Sequence, residues 1–200
     1  MFLMTQSYKN IIFDLGNVLL EWNPERFLKE LNLPLDYTDI FHSLLWATHD
    51  GGLLSRAEVI EKLPPHYDKN IFAFCVSKIA PFLTPIPEMI EMVHEVRNNG
   101  YKVYILSNMP KELHEELKAL HDFFEVFDGQ VYSYQVKAIK PQPQIYRALM
   151  NTYQIKASES MFIDDLAMNI HAAKELGIEG IICQNPAQVR AELKKLKIIQ

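Results

Sequence analysis

The chain has 200 residues, 48% of them hydrophobic and 22% charged, an ordinary composition for a globular domain with a well-packed core. A net charge of −5 leaves no basic face for nucleic acid, and the Lys-rich end Lys194-Lys195-Leu196-Lys197 reads as the solvated side of a last helix. Cys75 and Cys183, the only cysteines, exclude a disulfide framework; Met1–Gln6 lacks the pattern of a secretory leader and no apolar run reaches membrane-spanning length, so a cytoplasmic protein is expected.

The first predicted element is a short buried strand over 10–14, rich in Ile and Phe and ended by Gly16 and Asn17. Residues 21–83 then read as all-helical. Asn23-Pro24 has the form of a cap with proline at the first helical position, and Phe27, Leu28 and Leu31 follow at helical spacing. Ser55-Arg56-Ala57-Glu58 has the form of a capping box, and Pro64-Pro65 is a break. From Pro85 the pattern alternates. Helix 87–98 stops at Gly100, followed by strand 101–106, helix 110–120 and a short strand 131–133. Helix 143–152, strand 161–163, helix 167–176, strand 181–183 and helix 186–196 complete the chain. This alternation predicts an α/β fold, a Rossmann-like parallel sheet covered on both faces. Residues 1–20 and 84–200 would form that core, and 21–83 a small helical cap inserted after the first strand.

Each strand with a polar end delivers it to one edge. The first ends in Asp14, the second in Ser107-Asn108, and the strand over 161–163 in Asp164-Asp165. Ligands of open α/β sheets bind at the carboxyl ends of strands, where strand order reverses. Lys140, in Ile139-Lys140-Pro141, precedes a helix start and can reach the same crevice. Taken singly, each of these residues has a plain reading as turn former, helix cap or solvated charge. Together they suit one chemistry. The carboxylates and a backbone carbonyl make a hard oxygen site for Mg²⁺, and Ser107, Asn108 and Lys140 can bind phosphoryl oxygens. An Asp in that setting can attack phosphorus and form an aspartyl-phosphate.

These residues, in this order, resemble the four motifs of the haloacid dehalogenase superfamily of phosphatases: "FDLGNVL", "ILSNM", "KPQPQIY" and "FIDDLAMNIHAAKELG". The resemblance covers the whole core, and 21–83 matches the position of that family's small helical cap. Among its members the chain is similar to small bacterial sugar-phosphate phosphatases, including the glucose-1-phosphate type, and more distantly to the N-terminal phosphatase domain of soluble epoxide hydrolase. The resemblance implies Asp14 as nucleophile and Ser107 and Lys140 as its catalytic partners. It implies metal ligation by Asp14, Asp165, the backbone carbonyl of Gly16, and Asp164 directly or through water. It gives Asn169 the ordering of the loop. A small phosphorylated metabolite, probed by Trp22 at the cap entrance, would be the partner, with no nucleic acid and no membrane.

One position departs from the family. Most of its phosphatases carry a second Asp, an acid–base group, two residues after the nucleophile, where this chain has Gly16. General acid–base help is worth about 10²–10⁴-fold. Three explanations are open. The leaving group needs little help, as with an anomeric sugar phosphate; or Glu21, His49 or Asp50 of the cap supplies the proton; or the protein is a binding or regulatory module. A dehalogenase also lacks the second Asp but usually loses the acidic pair present here. Phe41, Trp46 and Tyr67 read as cap core, and His94, His114 and His121 as surface residues.

Overall fold

The structure, a computed structural model, describes residues 8–200, so the reading of Met1–Gln6 lies outside the described residues. Five strands, β1 (Asn10–Phe13), β2 (Lys102–Ser107), β3 (Gly129–Tyr132), β4 (Ser160–Asp164) and β5 (Glu179–Ile182), form one parallel sheet in the order β3-β2-β1-β4-β5. β1 lies at the centre, with Ile11 opposite Val103 on one side and Met161 on the other. All four of its residues are buried. That is why the strand reads as a continuous apolar run and not as an alternation. Ile11 and Phe13 point into one apolar cluster, Ile12 into a second with Tyr104, Leu106 and Phe162.

The segment between β1 and the next core helix is helical, as expected: α1 (Pro24–Glu30), α2 (Thr38–Phe41), α3 (Leu44–Asp50), α4 (Arg56–Glu61), α5 (Lys69–Val76) and α6 (Ile79–Phe82). Asn23 caps α1, its Oδ1 accepting from the Arg26 N–H at 2.9 Å. Ser55 and Glu58 form the reciprocal capping box that starts α4. The chain leaves and re-enters the core side by side. Leu20 bridges Pro85, and the Ile86 N–H donates to the Leu19 carbonyl at 2.9 Å.

The core helices are α7 (Pro87–Asn98), α8 (Lys111–Leu120), α9 (Ser133–Val136), α10 (Pro143–Tyr153), α11 (Ala167–Glu175) and α12 (Pro186–Lys195). α10 and α11 cover the sheet face of Ile12, while α7, α8 and α12 join the cluster of Ile11 and Phe13. Three expectations are corrected. The third strand starts at Gly129, and Ser133 opens α9 instead of ending the strand. Gly129 belongs to the sheet because the Tyr153 ring fills the space a Cβ would take. His114 is buried, its ring centroid 3.9 Å from that of Tyr132 and its Nδ1 3.1 Å from the Tyr134 hydroxyl. Its place on the inward stripe of α8, beside Leu113 and Leu117, overrides its polarity. His121 is half-buried against the Leu83 carbonyl, whereas His94 is exposed as expected. No helix among the described residues is long and apolar enough to cross a membrane.

Polar contacts fasten the helical segment to the core near α3 and α4, among them the Arg56 N–H donating to Glu112 Oε1 at 3.0 Å. The Ser133 hydroxyl donates to the Asp50 carbonyl at 2.5 Å. Lys137 Nζ donates to the Gly52 carbonyl at 2.5 Å. Arg56 grips Glu116 with both guanidinium nitrogens, at 2.6 and 3.1 Å. Gly52 is required there: its φ is +65°, and a Cβ would lie 2.8 Å from Tyr134.

Candidate active site

β1 and β4 end side by side at the point where the sheet changes direction of growth, and each ends in a carboxylate. The Asp14 N–H donates to the Ile163 carbonyl at 2.9 Å, which holds the residue in register just beyond β1. Lys140 reaches between the two ends. Its Nζ lies 2.7 Å from Asp14 Oδ1 and 2.6 Å from Asp164 Oδ2. All three groups are buried. Asn108 fixes the lysine: its Oδ1 accepts from the Lys140 N–H at 2.7 Å and its Nδ2 donates to the Lys140 carbonyl at 3.1 Å. The side chain expected to bind phosphate is therefore turned onto the backbone of Lys140.

Asp164 is likewise surrounded. Its Oδ1 accepts from the Leu166 N–H at 2.8 Å and from Asn169 Nδ2 at 2.9 Å, and its Oδ2 takes Lys140. Asn169 thus orders the loop, and the Tyr146 hydroxyl donates to its carbonyl at 2.9 Å. These bonds engage both oxygens of Asp164, whereas Asp165 is half-exposed, accepts from Asn17 Nδ2 at 3.1 Å, and lines the cavity. Asn17 is a site residue that the sequence reading passed over. It stands at φ 55°, a left-handed position that Asn tolerates, and its Oδ1 also accepts from the Trp22 N–H. Ser107 ends β2 and lines the cavity, where its hydroxyl makes no hydrogen bond to the described residues.

The charges do not balance. One carboxylate oxygen each from Asp14, Asp164 and Asp165 lie within 4.8 Å of one another, with Lys140 as the one ammonium bridging them. Burial pushes Asp14 up, Lys140 opposes that, and Asp164 adds to it. Burial also raises Asp165, with Asn17 opposing. A buried excess of carboxylate oxygen is costly without a cation, and the donor set, all oxygen, is that of a hard divalent ion. The Gly16 carbonyl takes part in no hydrogen bond among the described residues and is open for the same purpose.

A cavity of about 330 Å³ opens over these groups, between the sheet edge and the helical segment. Asp14, Gly16, Ser107, Lys140 and Asp165 form its floor. Its walls are mostly apolar, with Leu20, Trp22, Phe41, Trp46, Ile79, Leu83, Met109 and Leu113, and carry His42 and Asp50 as their titratable groups. Trp22 stands on this wall, edge-on to Phe41 with ring centroids 5.4 Å apart. Phe41 and Trp46, read as core, serve both purposes, whereas Tyr67 packs on Tyr37 away from the cavity. The three candidate proton sources separate cleanly. Glu21 is exposed and paired with Arg26 at 3.1 Å. His49 is buried outside the cavity, its Nδ1 2.8 Å from the Leu54 carbonyl. Asp50 lines the cavity.

A family model described as haloacid dehalogenase-like hydrolase matches residues 8–177. The chain belongs to the haloacid dehalogenase-like hydrolases. It is 26% identical to a sesquiterpene phosphatase of Aspergillus oryzae, over 96% of this chain and 98% of that one. It is 27% identical to a D-ribitol-5-phosphate phosphatase of Bacteroides thetaiotaomicron, over 92% and 96%. Among solved structures it resembles a haloacid dehalogenase family enzyme from Bacteroides thetaiotaomicron in a magnesium complex. That likeness has a TM-score of 0.72 at 24% identity and covers 88% of this chain and 93% of that one.

Proposed function

We propose that this protein is a Mg²⁺-dependent phosphomonoester hydrolase in which Asp14 is the nucleophile. The observation that carries the reading is the Lys140 ammonium held between Asp14 and Asp164, beside Asp165 and an unpartnered Ser107 hydroxyl. Asp14, Asp165 and the Gly16 carbonyl would hold the ion, with Asp164 behind them anchoring Lys140 and the loop. When bound, Mg²⁺ supplies charge neutralisation for the phosphoryl group.

Asp14 attacks phosphorus, the bond to the alcohol oxygen breaks, and an aspartyl-phosphate forms; water then releases phosphate and restores the carboxylate. Lys140 aims Asp14 and offsets phosphoryl charge, and Ser107 offers its free hydroxyl to a phosphoryl oxygen. The division into a core of 1–20 and 84–200 and a cap of 21–83 is part of the same proposal. In it the core performs the transfer and the cap selects the alcohol.

A small sugar phosphate is the substrate suggested by the sequence motifs and by the ribitol phosphatase relative. The wall of Trp22, Phe41, Trp46, Ile79, Leu83 and Leu113 favours a second reading, an alcohol with a substantial apolar body. Phosphate release from sugar phosphates, prenyl phosphates and p-nitrophenyl phosphate, with Mg²⁺ and with chelator, tests both. Metal-dependent turnover that falls to background in Asp14→Asn is expected. Turnover indifferent to chelator, or retained by Asp14→Asn, refutes the mechanism.

A further inference from the structure

Gly16 leaves the core without the acid–base group that the family resemblance leads one to expect, and the cavity it lines holds another carboxyl. A Cβ placed on Gly16 meets no atom within 4 Å, and the residue is not in the left-handed region. Neither packing nor backbone conformation demands glycine here. Gly16 lines the cavity, and so does Asp50, the last residue of α3, together with Asp14, Ser107, Lys140 and His42. No hydrogen bond or ion pair engages the Asp50 carboxyl among the described residues, although its backbone carbonyl is fastened to the core. Its carbonyl accepts from Ser133 at 2.5 Å, and the Ser133 hydroxyl also accepts from the Met109 N–H at 2.8 Å, one residue beyond Asn108. The peptide of Asp50 is thereby tied to the end of β2, while its carboxyl, near enough to Asp14 and Lys140 to feel both charges, has no partner of its own.

Resting on the phosphatase reading, we propose that Asp50 is the general acid and base of this enzyme, supplied by the cap in place of the residue missing at Gly16. As Asp14 Oδ bonds to phosphorus, the pair of the breaking P–O bond moves to the alcohol oxygen. That oxygen takes the Asp50 proton and leaves as neutral alcohol. Asp50, now a carboxylate, takes a proton from water as the water oxygen bonds to phosphorus and the bond to Asp14 breaks. Inorganic phosphate leaves, and Asp50 is again protonated for the next cycle. Burial, with the Asp14 charge adding to it and Lys140 opposing, pushes the Asp50 carboxyl up to about 8, the direction an acid needs. Ser133 is a positioning residue in this scheme.

The test is a comparison of leaving groups. kcat/KM is measured for p-nitrophenyl phosphate, whose phenolate leaves without a proton, and for n-hexyl phosphate, whose alkoxide does not. The enzymes are wild type, Asp50→Asn and the double variant Asp50→Asn/Gly16→Asp. Asp50→Asn is expected to lose about 10²–10⁴-fold on the hexyl ester and only a few-fold on the aryl ester. The retained aryl activity reports intact folding. Gly16→Asp in that background is expected to return much of the hexyl activity by placing an acid in the open space. Equal losses on both substrates overturn the assignment of Asp50, as does a wild type confined to the aryl ester. Absence of aryl release by wild type overturns the phosphatase reading itself, and this one with it.

Discussion

His114 shows how a single residue sets a pH response far from the chemistry. Its ring lies against Tyr132, and its Nε2 is the one buried side-chain nitrogen or oxygen without a hydrogen-bond partner among the described residues. Burial, with Lys118 adding and Glu115 opposing, lowers its pKa from 6.5 to about 4. Below about pH 6.5 the unfolded chain binds a proton that the folded chain refuses. The contribution is therefore complete above that pH and declines as pH falls toward 4, by roughly 2–3 kcal/mol. His114→Phe should flatten this part of the stability–pH curve in urea melts while changing stability at pH 7 by about 1 kcal/mol or less. A curve of unchanged slope would show that the proton is taken up elsewhere. The histidine was misread because a lone polar residue at helical spacing carries no mark of burial. Asp14 and Asp165, in contrast, were legible because their placement follows from the alternation of strands and helices, whereas Lys140, in the connection between α9 and α10, was legible only from its motif. A residue at the end of a parallel strand must meet the ends of its neighbours.

Elements were legible to different degrees for the same kind of reason. α7, α10 and α11 follow from apolar spacing and from the Pro and Gly residues that bound them. β3 was displaced because its glycine is chosen by the Tyr153 ring, a contact with a distant residue. The least legible feature was the seam between α3 and the core, since Ser133 and Asp50 are 83 residues apart. Ser133→Ala removes the hydroxyl from that seam and leaves the buried Met109 N–H without its acceptor. A loss of about 1–3 kcal/mol is expected in thermal or urea unfolding, together with weaker turnover of substrates that need protonation. A stability loss with the leaving-group dependence of wild type intact would confine Ser133 to folding.

At the scale of the molecule, the sheet separates two apolar clusters of unequal reach. The smaller lies beneath α10 and α11; the larger runs unbroken from the sheet through Phe27, Phe72 and Val76 of the helical insertion. A shared interior binds the two parts into one cooperative unit. Calorimetry should therefore record a single transition, and two resolved transitions would show that the insertion melts on its own.

The paired crossing at Leu20 and Pro85 has a consequence for the history of such a chain. Because the outgoing and returning segments are hydrogen-bonded to each other, the two ends of everything between them are fixed at one doorway. Sequence there can drift or lengthen without disturbing the register of β1, provided the apolar underside, the seam to Ser133, Lys137 and Glu116, and Asp50 are kept. A lineage built this way can inherit its phosphate chemistry unchanged while acquiring new alcohols to release.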